Sequence, residues 1–119
     1  MMMRIVLLGL VGLGLAANPA WSQETSSDDV QQGHRLAVLI CANCHVAASD
    51  QQFAPILRPP GPSFQSIAQR STTTAEWLRA FLTSTHRDIS KPEGMPNPQL
   101  LDYQVRQVSA YLLSLRKQP

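Results

Sequence analysis

The sequence predicts an all-α domain of three to four helices, and two observations carry that prediction. Apolar residues recur at helical spacing, most clearly at Leu101, Val105, Val108, Leu112 and Leu115, the pattern of a helix with one buried face. No stretch alternates apolar and polar residues with the period of two that a half-buried strand shows. Seven of the nine prolines break the chain between these stretches, at 55–62 and 92–98. A chain of 119 residues has room for one such domain.

The N-terminus does not belong to it. Arg4 precedes an apolar run over residues 5–17, followed by Asn18-Pro19-Ala20-Trp21-Ser22. A basic residue, a short apolar run and small residues near a cut point read as a secretory signal peptide over 1–22. The run falls short of the roughly 20 residues that cross a bilayer. Cleavage fits after Ala20 or after Ser22, and export places the mature chain, residues 23–119, in the periplasm. Loss of Arg4 takes ten Lys and Arg to nine, against eight Asp and Glu, for a net charge of +1. A nearly neutral chain without a basic, aromatic-studded stripe excludes nucleic acid as a partner. No stable membrane insertion is expected, and a monomer is.

The elements follow in order. Ser27 before Asp28 and Asp29 offers a hydroxyl cap and two carboxylates for a first helical turn. The helix carries Val30, Gly33, Leu36, Ala37 and Ile40 and runs into Cys41, with His34 facing solvent. Residues 46–53 read as loop. Pro55, Pro59, Pro60 and Pro62 then exclude helix and central strand, leaving a rigid extended wall. A short helix over 63–69 would face Phe64, Ile67 and Ala68 inward. Thr73 with Glu76 forms a capping box for a helix carrying Trp77, Leu78, Phe81 and Leu82 and ending near Thr85. After a polar loop, Asn97-Pro98 opens the last helix with a cap and a proline at its first position, and Arg116 and Lys117 suit its C-terminal dipole.

The chemistry concentrates in Cys41-Ala42-Asn43-Cys44-His45. C-x-x-C-H is the signature for covalent attachment of a c-type haem. Two thiols at this spacing reach the two vinyl groups of one porphyrin, and the adjacent imidazole then falls over the iron as its proximal ligand. Rival readings are a redox dithiol, which needs a strand–helix setting this sequence lacks, a strained disulfide, and a zinc site. Zinc would need a fourth ligand, for which His86 is the candidate. An exported chain suits haem attachment, since outside the cytoplasm thiols otherwise oxidise. For the iron's other face, Met95 is the one methionine left after Met1, Met2 and Met3 depart with the leader. It lies in Pro92-Glu93-Gly94-Met95-Pro96, where Gly and Pro can aim its sulfur inward as the distal ligand. His86 is the competitor, and with neither bound the iron would be open to gases or peroxide.

In these residues the mature chain resembles the class I cytochromes c, small monohaem electron carriers of the bacterial periplasm. The resemblance implies the cytochrome c fold over 23–119, wrapped around one covalently bound haem c. It implies Cys41 and Cys44 as attachment points, His45 as proximal and Met95 as distal iron ligand. Gly33 matches the small residue at which first and last helices cross, and Tyr111 the aromatic packed into that crossing. Gly61-Pro62 is similar to the family's Gly-Pro, whose proline carbonyl accepts the imidazole's other N–H. Trp77 resembles a tryptophan that donates to a haem propionate. Ala37, where the family often has an aromatic, and the absence of a docking ring of lysines, with only Lys91 and Lys117 in the mature chain, are departures.

The function expected is one-electron transfer between periplasmic redox proteins, a dehydrogenase or reductase as donor and an oxidase or reductase as acceptor, without enzymatic activity. Electrons would pass at a small uncharged edge formed by Ala42, Asn43, Val46, Ala47 and Ala48. The alternatives are a haem-bearing subunit of a periplasmic dehydrogenase or oxidase complex, and an open-face haem enzyme or gas sensor.

Overall fold

The computed structural model describes residues 26–84 and 94–117. The expected leader, His86 and Lys91 lie outside the described residues. Within them the chain forms four α-helices and no strand: α1 (Ser27–Leu36), α2 (Phe64–Ala68), α3 (Ala75–Thr83) and α4 (Asp102–Ser114). The all-α expectation holds.

Helix α1 is capped one residue earlier than expected. Ser26, not Ser27, accepts from the Asp29 N–H at 3.1 Å, and Asp28 and Asp29 occupy the first turn. At Ala37–Cys41 the helix widens into a π-helical turn, closed by the Ala42 N–H donating to the Ala37 carbonyl at 3.0 Å. Such turns are uncommon and concentrate at functional positions. This one ends on the first cysteine of the motif.

Helices α1 and α4 cross at Gly33. A Cβ there would stand 1.9 Å from the Gln107 carbonyl oxygen and 2.8 Å from the Tyr111 Cβ, so only a residue without a side chain admits this approach. Around the crossing Ala37, Val108, Tyr111 and Leu112 are buried, with Val30 and Leu36 packed against them. Ala37 is fully enclosed, and its small side chain belongs to the same close approach that Gly33 permits.

Two further helix starts differ from the sequence reading. Helix α3 is capped by Thr74, whose hydroxyl accepts from the Trp77 N–H at 3.1 Å. Thr73 is instead fully buried and donates to the Ile67 carbonyl at 2.8 Å. A buried hydroxyl is costly to leave unpaired, and here the Ile67 carbonyl of α2 accepts it. Helix α4 starts at Asp102, not at Asn97-Pro98. The Asn97 side chain accepts from the Gln99 N–H at 2.8 Å, and Gln99 takes the left-handed conformation at φ 52°, which no right-handed helix can pass through. Gln104 then caps from within, accepting from the Leu101 N–H at 2.9 Å. Leu101, expected on the buried face, is accordingly exposed, whereas Val105, Val108, Leu112 and Leu115 are buried.

Arg116 was read as a charge for the dipole of the last turn, but it does more. Its guanidinium donates to the carbonyls of Ala68 (2.6 Å), Arg70 (2.8 Å) and Thr73. One side chain from the chain's end thus ties down the end of α2 and the turn that follows.

Candidate haem site

The motif leaves the π-helical turn in a tight reversal. The Cys44 and His45 N–H groups both donate to the Cys41 carbonyl, at 3.1 and 2.9 Å. This folds the backbone at His45 back toward Cys41. The thiols of Cys41 and Cys44 are free and half-buried. Burial, and secondarily the neighbouring Cys44, push the Cys41 thiol up to about 11. It is therefore protonated at neutral pH, an S–H rather than a thiolate poised for exchange.

The extended wall returns alongside the motif. Ile56 and Leu57 donate to the Asn43 carbonyl at 2.9 and 3.3 Å, Gly61 to Cys44 at 2.7 Å and Phe64 to Val46 at 3.0 Å. Pairing of Gly61 with His45 in an isolated parallel bridge brings Pro62 under the imidazole. The His45 Nδ1 lies 2.7 Å from the Pro62 carbonyl oxygen. A carbonyl only accepts, so Nδ1 carries the hydrogen and Nε2 keeps its lone pair for a metal. A Cβ on Gly61 would stand 2.6 Å from the ring's Cε1, so glycine is required for the wall to approach. The Phe64 ring packs against the imidazole, ring centroids 5.8 Å apart and tilted by 58°.

The structure thus brings Cys41, Cys44, His45, Gly61 and Pro62 together. Met95 is half-buried in the segment before α4, with residues 85–93 outside the described part. That segment is anchored by Asn97, whose amide donates to the Thr83 carbonyl at 3.4 Å. Trp77 is 36% exposed and stacks on Phe81, centroids 5.0 Å apart. Its indole N–H finds no protein acceptor among the described residues.

The donor set fits a haem. Among the described residues no group of three or more His, Cys, Asp or Glu converges as a metal cluster would, which speaks against a zinc clip. An imidazole oriented by the Pro62 carbonyl and two free cysteines are present instead. Apolar side chains lie open along the motif and the wall, Ile40, Val46, Ile56 and Leu57 among them, as a porphyrin plate requires.

Residues 30–116 match the family model described as cytochrome c. The chain belongs to the class I cytochrome c family. It is also 34% identical over 110 residues to a cytochrome c-552 of Bradyrhizobium diazoefficiens, covering 92% of this chain and 97% of that protein. No solved structure gives a significant match. As a cytochrome c the chain carries covalent haem c, and it acts as a haem-based electron carrier.

Two expectations for this cytochrome are corrected. Ala47 and Ala48, placed on the exposed edge, are buried, because Tyr111 reaches over them and donates its hydroxyl to the Ala47 carbonyl at 3.0 Å. Beside the motif the exposed uncharged residues are Asn43 and Val46, Phe53 of the loop, and Ile56 and Leu57 of the wall. His34, read as solvent-facing, is half-buried, with Nε2 2.8 Å from the Asp50 carboxylate and its ring edge-on to Tyr111. Asp50 was missed. Gln51 was missed too, although its side chain caps the loop by accepting from the Ala47 and Ala48 N–H groups at 2.7 and 3.3 Å. A glutamine three to four residues after unpaired amides was the available signal.

Proposed function

We propose that this chain is a periplasmic monohaem carrier that passes single electrons between redox proteins through an iron held by His45 and Met95. The observation that carries the reading is the 2.7 Å bond from His45 to the Pro62 carbonyl, which leaves Nε2 as the ring's metal-binding atom. Bound haem supplies a one-electron couple whose potential is raised by Met/His ligation relative to bis-His. Cys41 and Cys44 hold it by thioether bonds. Gly61 and Pro62 keep the proximal ring in one tautomer and one orientation. Met95 closes the distal face, which excludes exogenous ligands. The free indole N–H of Trp77 suits a propionate acceptor.

The partners are proteins met briefly at the surface of Asn43, Val46, Ile56 and Leu57. Those four side chains carry no charge, and the mature chain carries little, so long-range steering is weak and the contact falls at the small end of interface sizes. Rates of electron exchange should vary only mildly with ionic strength. An intact mass and a pyridine haemochrome spectrum test for one haem on two thioether bonds. The oxidised protein should show the weak far-red band of methionine–iron ligation. Met95→Ala should abolish that band and lower the potential. Survival of the band would remove Met95 from the iron.

A further inference from the structure

The loop between the motif and the wall spends its polar groups on itself and turns its apolar side chains to solvent. The Gln51 side chain accepts from the Ala47 and Ala48 N–H groups at 2.7 and 3.3 Å and donates to the Phe53 carbonyl at 2.8 Å. Pro55 is buried and has no N–H to satisfy. Ile56 and Leu57 give theirs to the Asn43 carbonyl. On this fixed backbone Phe53 stands 80% exposed and Ile56 78%, with Leu57 half-exposed beside them. Single exposed apolar residues are ordinary, but three so close together on a braced loop form a patch. Arg58 follows at once. It is exposed, is the sole charge between Asp50 and Arg70, and pairs with no acid among the described residues.

We propose that Phe53, Ile56, Leu57 and Arg58 form a docking knob for one kind of redox protein, a partner with an apolar socket and a carboxylate at its rim. The proposal rests on the carrier reading above, and adds Phe53 as the anchor and Arg58 as the selecting charge. An unpaired guanidinium beside apolar surface matches a carboxylate through two parallel N–H···O bonds, and it repels a basic rim. Because Gln51 and the Asn43 carbonyl already hold the loop, docking costs little further ordering.

Size and charge exclude the other occupants. At about 200 Å² for a large apolar side chain, the three offer roughly 400 Å². That is about half of the roughly 800 Å² that each partner buries in a stable complex. A second copy of the chain would not stay on the knob, whereas a short-lived redox encounter fits it. Anionic lipid is held by clusters of about four to eight Lys and Arg, and this loop offers Arg58 alone. A bilayer here would also lie against Asn43, inside the attachment motif, where the carrier reading brings redox proteins.

The test uses holoprotein with membranes and periplasmic extract of the source bacterium, following haem absorbance over a range of cytochrome concentrations. Phe53→Ser should raise KM about tenfold with kcat retained, as loss of an anchor residue does. Arg58→Gln should raise it about threefold, and Arg58→Glu further. Gln51→Ala should raise KM with Phe53 still in place, because the loop must then be ordered on docking. Leu101→Ser, at an exposed apolar residue outside the loop, is the control and should leave KM alone. An unchanged KM in Phe53→Ser overturns the knob, and so does an equal rise in Leu101→Ser, the mark of general adhesion. A haem spectrum altered by Phe53→Ser would make that ring part of the haem pocket. Phe53-dependent flotation with phosphatidylglycerol vesicles would make it a lipid anchor, and either result overturns the proposal. Extract and membranes that exchange no electrons with wild type overturn the carrier reading and the knob together, whereas exchange with an unshifted Phe53→Ser overturns the knob alone.

Discussion

Gly33→Ala is the sharpest test of the fold that presents the haem site. The added methyl would lie 1.9 Å from the Gln107 carbonyl oxygen, 2.5 Å from its carbon and 2.8 Å from the Tyr111 Cβ. Two of those atoms are backbone within α4, so no rotamer relieves the contact. Restoring an ordinary 3.4 Å contact from 1.9 Å requires the helices to separate by about 1.5 Å, and Ala37, Val108 and Leu112 lose contact as they do. Overpacking of this kind costs typically 1–3 kcal/mol, occasionally more. Against it stands a gain of about 1 kcal/mol, because alanine favours a helix interior over glycine. With backbone as the obstacle the upper end of the cost applies, and the net loss should be about 2 kcal/mol. Guanidinium unfolding of the holoprotein, with a slope of about 3 kcal/mol/M, should then show the midpoint falling by roughly 0.7 M. Propensity alone predicts the opposite sign, so an unchanged or raised midpoint would refute the crossing geometry.

Gly61→Ala should act on the site more than on the fold. Its Cβ would meet the His45 ring at 2.6 Å, so the Nδ1–H resonance should shift and the bond to Pro62 lengthen; an unmoved resonance would show that the wall stands farther off. Arg116→Met leaves three carbonyls of residues 68–73 without their donor. Because the side chain is partly exposed and water can replace it, a loss of about 1–2 kcal/mol by thermal or chemical unfolding is expected, against nearly nothing if it serves only as a dipole charge. Tyr111→Phe removes the donor to the buried Ala47 carbonyl and should cost about 1–2 kcal/mol. Burial raises the Tyr111 hydroxyl, so the folded state holds that proton more tightly. Its contribution is full below the unfolded value near 10 and is lost as pH rises above it, and Tyr111→Phe should flatten that alkaline limb.

The helical core was legible because it depends on period, and period survives errors of register. Val105, Val108, Leu112 and Leu115 face inward as their spacing requires. Helix ends were less legible, since each turns on a competition that the sequence does not rank. Ser26 and Ser27 are both able caps, as are Thr73 and Thr74, and burial decides between the threonines by claiming Thr73 for Ile67. Asn97-Pro98 is a good helix start on paper, yet the same side chain closes a turn onto Gln99. The site divides in the same way. Cys41 to His45 and Gly61-Pro62 carry their chemistry in their spacing. The His34–Asp50 pair spans 16 residues, and Arg116 reaches acceptors 43 to 48 residues away. Such contacts exist only once the crossing at Gly33 has brought α1, α4 and the loop together.

What distinguishes His45 is that three separate contacts hold it at once. Its own turn folds it onto the Cys41 carbonyl, the proline-rich wall presents Pro62 to Nδ1, and Phe64 bears on the ring. The wall itself is paired to the motif at Asn43, Cys44 and Val46, so its backbone donors are spent on the segment they position. Prolines at 55, 59, 60 and 62 lower the freedom that this wall must lose on folding. Under the proposed ligation by His45 an electron carrier would gain from such redundancy, because an axial ligand that cannot swing would leave little to rearrange when the charge at the iron changes. Loosening any one hold should therefore shift the potential and the His45 resonances before it releases the ligand.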